Sequence, residues 1–132
     1  MPENLKNKAR NYFILGVVAF NMKMYSEAAT NFFKALFACD DNALLEKINV
    51  EPKDHTERFD LLKNSLPKLY DITDRLFSTY RRTYTRELDQ GEVALVKKRV
   101  MEAFENAGIP VPSNEDIKSK FEELIKKGKI FS

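Results

Sequence analysis

The placement of chain breakers confines this sequence to helices. Only four glycines and five prolines occur in 132 residues. Most fall between segments whose apolar residues recur every three or four positions, the repeat of one helical face. No stretch alternates apolar and polar residues with a period of two, so no strand pattern competes. The length suits one domain around one core. The expectation is an all-α protein, a single up-and-down bundle of five or six helices over 1–132, with its core in 4–107 and a C-terminal helix over 113–128.

The first helix is expected from Asn4 to about Lys23, with Leu5, Ala9, Tyr12, Phe13, Gly16 and Phe20 on one face. Ser26 suits an N-cap for the second, with Glu27 favourable in its first turn. That helix runs through Ala28, Ala29, Phe32, Phe33 and Leu36 to Ile48, and Pro52 closes the element. Two long helices joined by a few residues form an antiparallel hairpin. A third helix starts near Asp54 or Thr56 and carries Phe59, Leu62 and Leu66. Pro67 implies a break or a kink, with Ser65 as the candidate cap. From Leu66 to Arg86 an apolar stripe continues through Leu69, Tyr70, Thr73, Leu76, Phe77, Tyr80 and Tyr84. Asp89 with Glu92 reads as a capping box for the next helix, which buries Val93, Val96, Val100, Ala103 and Phe104 and ends at Gly108. Ser113 with Asp116 opens a last helix using Ile117, Phe121, Leu124 and Ile125, stopped by Gly128.

The inventory for chemistry is thin, with one histidine, one cysteine and no tryptophan. Zinc sites, histidine triads and Cys–His pairs need ligands or bases that are scarce here, so no catalytic set, metal site or cofactor is expected. Cys39 lies in the apolar run ALFAC, which points to a buried structural thiol and a reducing compartment. Charges at Glu3, Lys6, Lys8 and Arg10 precede any apolar run, and the longest such run, Phe13 to Phe20, is too short to span a bilayer. A cytoplasmic protein without membrane association is expected.

Net charge is only +2, so charge placement must support any nucleic-acid reading. At 100° per residue, a helix from Leu66 to Arg86 gathers Lys68, Arg75, Arg82 and Arg86 opposite the apolar stripe. Such a strip is either an ordinary solvated face, softened by Asp71 and Asp74, or a phosphate-binding surface extended by Lys97, Lys98 and Arg99. Arg81 falls on the flank, where a guanidinium reaches a groove or an interface. Tyr80 and Tyr84 read first as core residues whose hydroxyls could still bond a ligand. Asp40, Asp41 and Asn42 read as an exposed turn of helix, with a weak magnesium point as the alternative. The segment from Lys118 to Lys129 reads first as a solvated amphipathic helix, with an RNA-contacting arm as the alternative. Phe13, Phe20, Phe32, Phe33 and Phe37 occupy more than one narrow face, and a homodimer interface is expected from that excess.

Two resemblances follow. Tyr12, Leu15, Gly16, Ala28, Phe32 and Ala35 sit at the spacing of a tetratricopeptide repeat, although Ala19 and Asp40 replace its expected Tyr and Pro and no second copy follows. Over a longer span, about Lys8 to Ala107, the order of segments resembles the HEPN domain, the higher eukaryote and prokaryote nucleotide-binding fold. The passages are MYSEAATNFFKAL, NALLEKINVEPKDH, LYDITDRLFSTYRRTYTREL and GEVALVKKRVMEAFENAG. The resemblance implies a helical bundle associated with nucleotides or RNA. In many HEPN ribonucleases an Arg is followed four to six residues later by His. Here Arg81 and Arg82 are followed by Thr85, Arg86, Glu87 and Leu88, so the ribonuclease histidine is missing. His55 sits at the family's other histidine position, where a structural role is implied; from its place after Lys53 and Asp54 near a helix start, capping or a bond to a loop carbonyl is expected. The expectation is a non-catalytic accessory module partnered with a minimal nucleotidyltransferase in a toxin–antitoxin-like context. Its candidate phosphate or nucleotide ligands are Arg81, Arg82, Tyr84, Arg86 and Arg75. The alternatives are a metal-independent ribonuclease using Arg81 or Arg82, and a tetratricopeptide-like interaction adaptor.

Overall fold

The computed structural model describes residues 2–126. Over these residues the chain forms α1 (Pro2–Asn21), α2 (Tyr25–Ile48), α3 (His55–Ser65), α4 (Pro67–Arg82), α5 (Gln90–Ala107) and α6 (Asn114–Lys126), with no strand among them. α2 is the centre of this all-α bundle. It shares its largest interface with α1 and packs also on α5, α3 and α4. Its sequence explains that position: Ala28, Ala29, Phe32, Phe33, Ala35, Leu36, Ala38, Cys39 and Leu44 are all buried, so it meets neighbours on most of its sides. Alanines among the rings let neighbouring helices approach closely.

The helix ends follow local chemistry. Asp54, in extended backbone, accepts a hydrogen bond from the Glu57 amide at 2.9 Å and caps α3. Pro67 occupies the first turn of α4, where its missing N–H costs nothing. Both halves of the capping box between Asp89 and Glu92 form, at 2.8 and 3.1 Å. Gly108 ends α5 with φ 73°, a left-handed conformation that favours glycine. Ser113 and Asp116 cap α6 reciprocally, at 3.1 and 2.9 Å.

Three expected boundaries move. Ser26 is not the cap of α2. Lys23 adopts a left-handed turn (φ 62°) and the Met24 amide bonds back to the Ala19 carbonyl, so the helix starts at Tyr25 behind Met24. Ser26 already lies in the first turn, and its carbonyl accepts the Thr30 hydroxyl. Ser65 is not a cap either. Leu66 alone makes the junction, donating its amide to Leu62 and accepting from the Tyr70 amide. Finally, α4 stops at Arg82 rather than Arg86. The Thr83 and Thr85 hydroxyls take the Tyr80 and Arg82 carbonyls, diverting the chain into a turn.

The aromatic excess of the first two helices goes largely inward. Phe13, Phe32 and Phe33 are buried, and Phe20 and Phe37 are half-buried against the core. α6 is held by Arg10, which donates to the Pro110 carbonyl at 2.9 Å and to Asp116 at 3.2 Å. Gly128, expected to stop α6, and the side chain of Leu124 lie outside the described residues. No helix among the described residues is long and apolar enough to cross a membrane. The cap assignments predict that Asp54→Ala lowers stability by about 1 kcal/mol. Ser26→Ala should change it by less than about 0.5 kcal/mol. Urea unfolding of the two variants checks the pair, and an equal loss in both would reverse the assignment at α2.

Candidate functional site

One stripe of α2 is left partly uncovered. Ser26, Ala29, Thr30, Phe33, Lys34 and Phe37 recur at three- and four-residue spacing, so they share one helical face. Because α4 ends at Arg82, the chain crosses this face as a turn instead of covering it with helix. The result is a groove of about 540 Å³ between α2 and the segment Tyr80 to Leu88. Phe33 and Phe37 supply apolar wall, and Thr30, Thr83 and Thr85 supply hydroxyls. Lys34 is exposed on the rim, its ammonium 5.6 Å from the centre of the Tyr12 ring.

The groove collects two of the five expected ligand residues. Tyr84, expected on the buried stripe, is 74% exposed. It has left the helix and stands over the groove, its hydroxyl 2.7 Å from that of Tyr80 and its ring edge-on to the Tyr80 ring. That hydrogen bond, with partial burial, pushes the Tyr80 phenol up to about 12. Arg86, expected on the α4 wheel, lies beyond the helix end and grips Glu92 with both nitrogens at 3.0 and 2.8 Å. Arg86 and the Asp89 amide hold the Glu92 carboxyl down at about 2. Arg82 approaches the same carboxylate at 3.6 Å and donates to the Thr79 hydroxyl. Arg75 is exposed on α4, away from the groove lining. Arg81 is exposed and lies 5.6 Å from the centre of the Phe77 ring. Lys53 is exposed, and its backbone amide donates to Glu57. The basic strip thus divides, with Arg82 and Arg86 tied to Glu92.

Behind the groove wall lies a buried polar network where the sequence suggests an exposed turn. Asp40, Asp41 and Asn42 are buried inside α2. Asp41 takes a bidentate pair from Arg58 of α3 at 2.7 and 2.9 Å. Asp40 accepts the Thr73 hydroxyl of α4 at 2.7 Å. With three of the four carboxylate oxygens committed to these partners, the pair is neither a solvated turn nor open to a cation. The remaining Asp40 Oδ1 and both polar atoms of the Asn42 amide are buried without a partner. Burial, above all, raises the Asp40 carboxyl well above the ordinary value. It likewise raises the Cys39 thiol, reinforced by both aspartates, and Cys39 is fully buried.

His55 joins this network. Its Nδ1 is 2.6 Å from Nη1 of Arg58. A guanidinium only donates, so Nδ1 is the acceptor and the proton of the neutral ring sits on Nε2. The expected loop-carbonyl bond is replaced by this one. The imidazole packs against Phe37 at 4.7 Å, Phe77 at 5.4 Å and Tyr80 at 5.7 Å, centre to centre. Burial and the charge of Arg58 lower its pKa from the ordinary 6.5. No family model, curated protein or solved structure matches this chain.

Sequence reasoning missed Lys34 and Arg58. Lys34 fell within a helix read only for its apolar face. Arg58 lies 17 residues from the carboxylate it neutralises, and no local pattern joins them.

Proposed function

We propose that this protein is a non-catalytic accessory module that holds a nucleotide or a short single-stranded RNA in the groove between α2 and the α4–α5 turn. The observation that supports it most is the exposed Tyr84 ring, which lines the same groove as Lys34 and the threonine hydroxyls. A base stacks on an aromatic face, a phosphate seeks an ammonium, and ribose hydroxyls bond to hydroxyls. The resemblance to HEPN domains points the same way, and a minimal nucleotidyltransferase and a second copy of the chain are the partners that follow from it. The chemistry of the groove favours binding over turnover. Its Tyr80 phenol is held protonated, and the chain's one histidine has its acceptor nitrogen occupied by Arg58.

Calorimetric titration with a uridine hexanucleotide bearing hydroxyl ends tests this reading. Tyr84→Ala should weaken binding by about tenfold, the loss of one stacked base. Lys34→Ala should weaken it and reduce the salt slope by about 0.7, one phosphate contact on a single strand. Absence of binding to both the hexanucleotide and AMP at millimolar concentration would sink the proposal.

One observation favours a second reading, a metal-independent ribonuclease. Arg81 and His55, separated in sequence, both lie against Phe77. Cleavage of cellular RNA in EDTA by the parent, lost in Arg81→Ala, would establish that reading and displace the first.

A further inference from the structure

The groove wall and the buried network share side chains. Phe37 and Tyr80 line the groove on one side and contact the His55 ring on the other. His55 is in turn fixed by Arg58, and Arg58 is fixed by both oxygens of Asp41. We propose that His55 is a proton sensor for the groove: protonation at Nδ1 breaks its bond to Arg58, displaces the ring from Phe37 and Tyr80, and weakens ligand binding. This inference rests on the groove being the ligand site.

A solvent proton adds to the Nδ1 lone pair, which can then no longer accept from Nη1. Two donors and two positive charges would face each other across the present 2.6 Å. Arg58 cannot yield easily, because its other nitrogens are committed to a buried carboxylate. His55 is half-buried at the first residue of α3 and is the side that moves.

The groups facing His55 from each neighbouring element are few. From α2 there are Asp41 and, behind it, Asp40; from the start of α3, Asp54 and Arg58; from α4, the Tyr80 phenol, with Arg81 over Phe77. Arg58 opposes the imidazolium, and Asp41 and Asp54 favour it. Burial opposes it most of all, so the transition falls below the ordinary histidine value of 6.5 and the neutral ring is the form present at pH 7. Asp40, whose carboxyl burial raises, is a second group of this network that acid can protonate, and a substitution at position 55 leaves it in place.

The test compares the parent with His55→Asn, whose Oδ1 replaces Nδ1 as an acceptor for Arg58 and does not titrate. The probe is again the hydroxyl-ended uridine hexanucleotide, because phosphodiesters do not titrate in this range whereas a terminal phosphate does, near pH 6. Between about pH 7.5 and 4.5 the parent should lose up to about tenfold in affinity, most of it below the ordinary histidine range, the effect of one charge-assisted hydrogen bond. His55→Asn should lose no more than about twofold, and the difference between the curves removes any share from Asp40. Without ligand, the Tyr80 ring resonances should follow the titration of His55 in the parent and stay flat in His55→Asn. Tyr80 resonances indifferent to His55, equal pH dependence in both proteins, or tighter binding on acidification would each overturn the sensor. If Tyr80 follows His55 but the hexanucleotide binds at no pH, the ligand assignment of the groove fails while the coupling between His55 and its wall stands.

Discussion

Replacing Arg58 by leucine is expected to lower stability by about 3–5 kcal/mol, a large part of the 5–15 kcal/mol typical of a domain. The guanidinium is not a surface partner. The side chains of Arg58 and Asp41 are only 10% and 13% exposed. Burial works against the charge of Arg58, but the hydrogen bonds and charge of Asp41 outweigh it and raise the guanidinium above its ordinary value. Leucine at position 58 would leave the Asp41 carboxylate buried without a counter-charge, which is where most of the loss arises. A double variant, Arg58→Leu with Asp41→Leu, should recover most of it, because removing both charges also removes their desolvation cost. The single variant should also acquire a particular pH dependence. An orphaned Asp41 would have a folded-state pKa raised above its unfolded value. Its protonated form is then favoured by folding, so the deficit shrinks as pH falls towards about 4, the ordinary carboxylate range. Urea unfolding at two pH values checks both claims. A loss under about 1 kcal/mol would mean that the pair behaves as a solvated one.

The same residues mark the division between what could and could not be read along the chain. Asp54, Pro67, Asp89 with Glu92, Gly108 and Ser113 with Asp116 were all readable, because each helix end is decided within four residues. Asp40 and Asp41 were misread because their burial depends on Arg58 and Thr73, 17 and 33 residues away. An acidic pair within a helix is solvated unless such partners arrive, and only the tertiary structure brings them. The end of α4 was misread for another reason. The apolar period runs on through Tyr84, but the Thr83 and Thr85 hydroxyls and the pull of Glu92 on Arg86 redirect the backbone. That early ending moved Tyr84 from an expected core position to the rim of the groove and opened the groove itself. The candidate site was therefore visible as residue types, and its geometry depended on where one helix stopped.

Gly16→Ala should destabilise the parent yet stabilise a Phe32→Ala variant, and the change of sign is the informative result. Phe32 is fully buried on α2, its ring 5.4 Å from that of Phe13 on α1, and Phe13 is 5.5 Å from Phe104 on α5. Three helices are thus joined through one line of rings, and Phe32→Ala should cost about 3–5 kcal/mol in lost burial and residual cavity. The line exists because α1 presents no side chain at position 16. A Cβ built on Gly16 would lie 2.6 Å from two carbons of the Phe32 ring. That ring is held on all sides and cannot swing away as an exposed side chain would. In the parent, the helix-forming advantage of alanine over glycine, about 1 kcal/mol, is outweighed by an overpacking cost of about 1–3 kcal/mol. Once Phe32 is shortened, the clash is gone and the new methyl enters the vacated space, so both terms favour alanine. A double-mutant cycle should then give a coupling of about 1–3 kcal/mol between positions 16 and 32. Equal effects of Gly16→Ala in the two backgrounds would show that something other than the Phe32 ring demands glycine in the middle of α1.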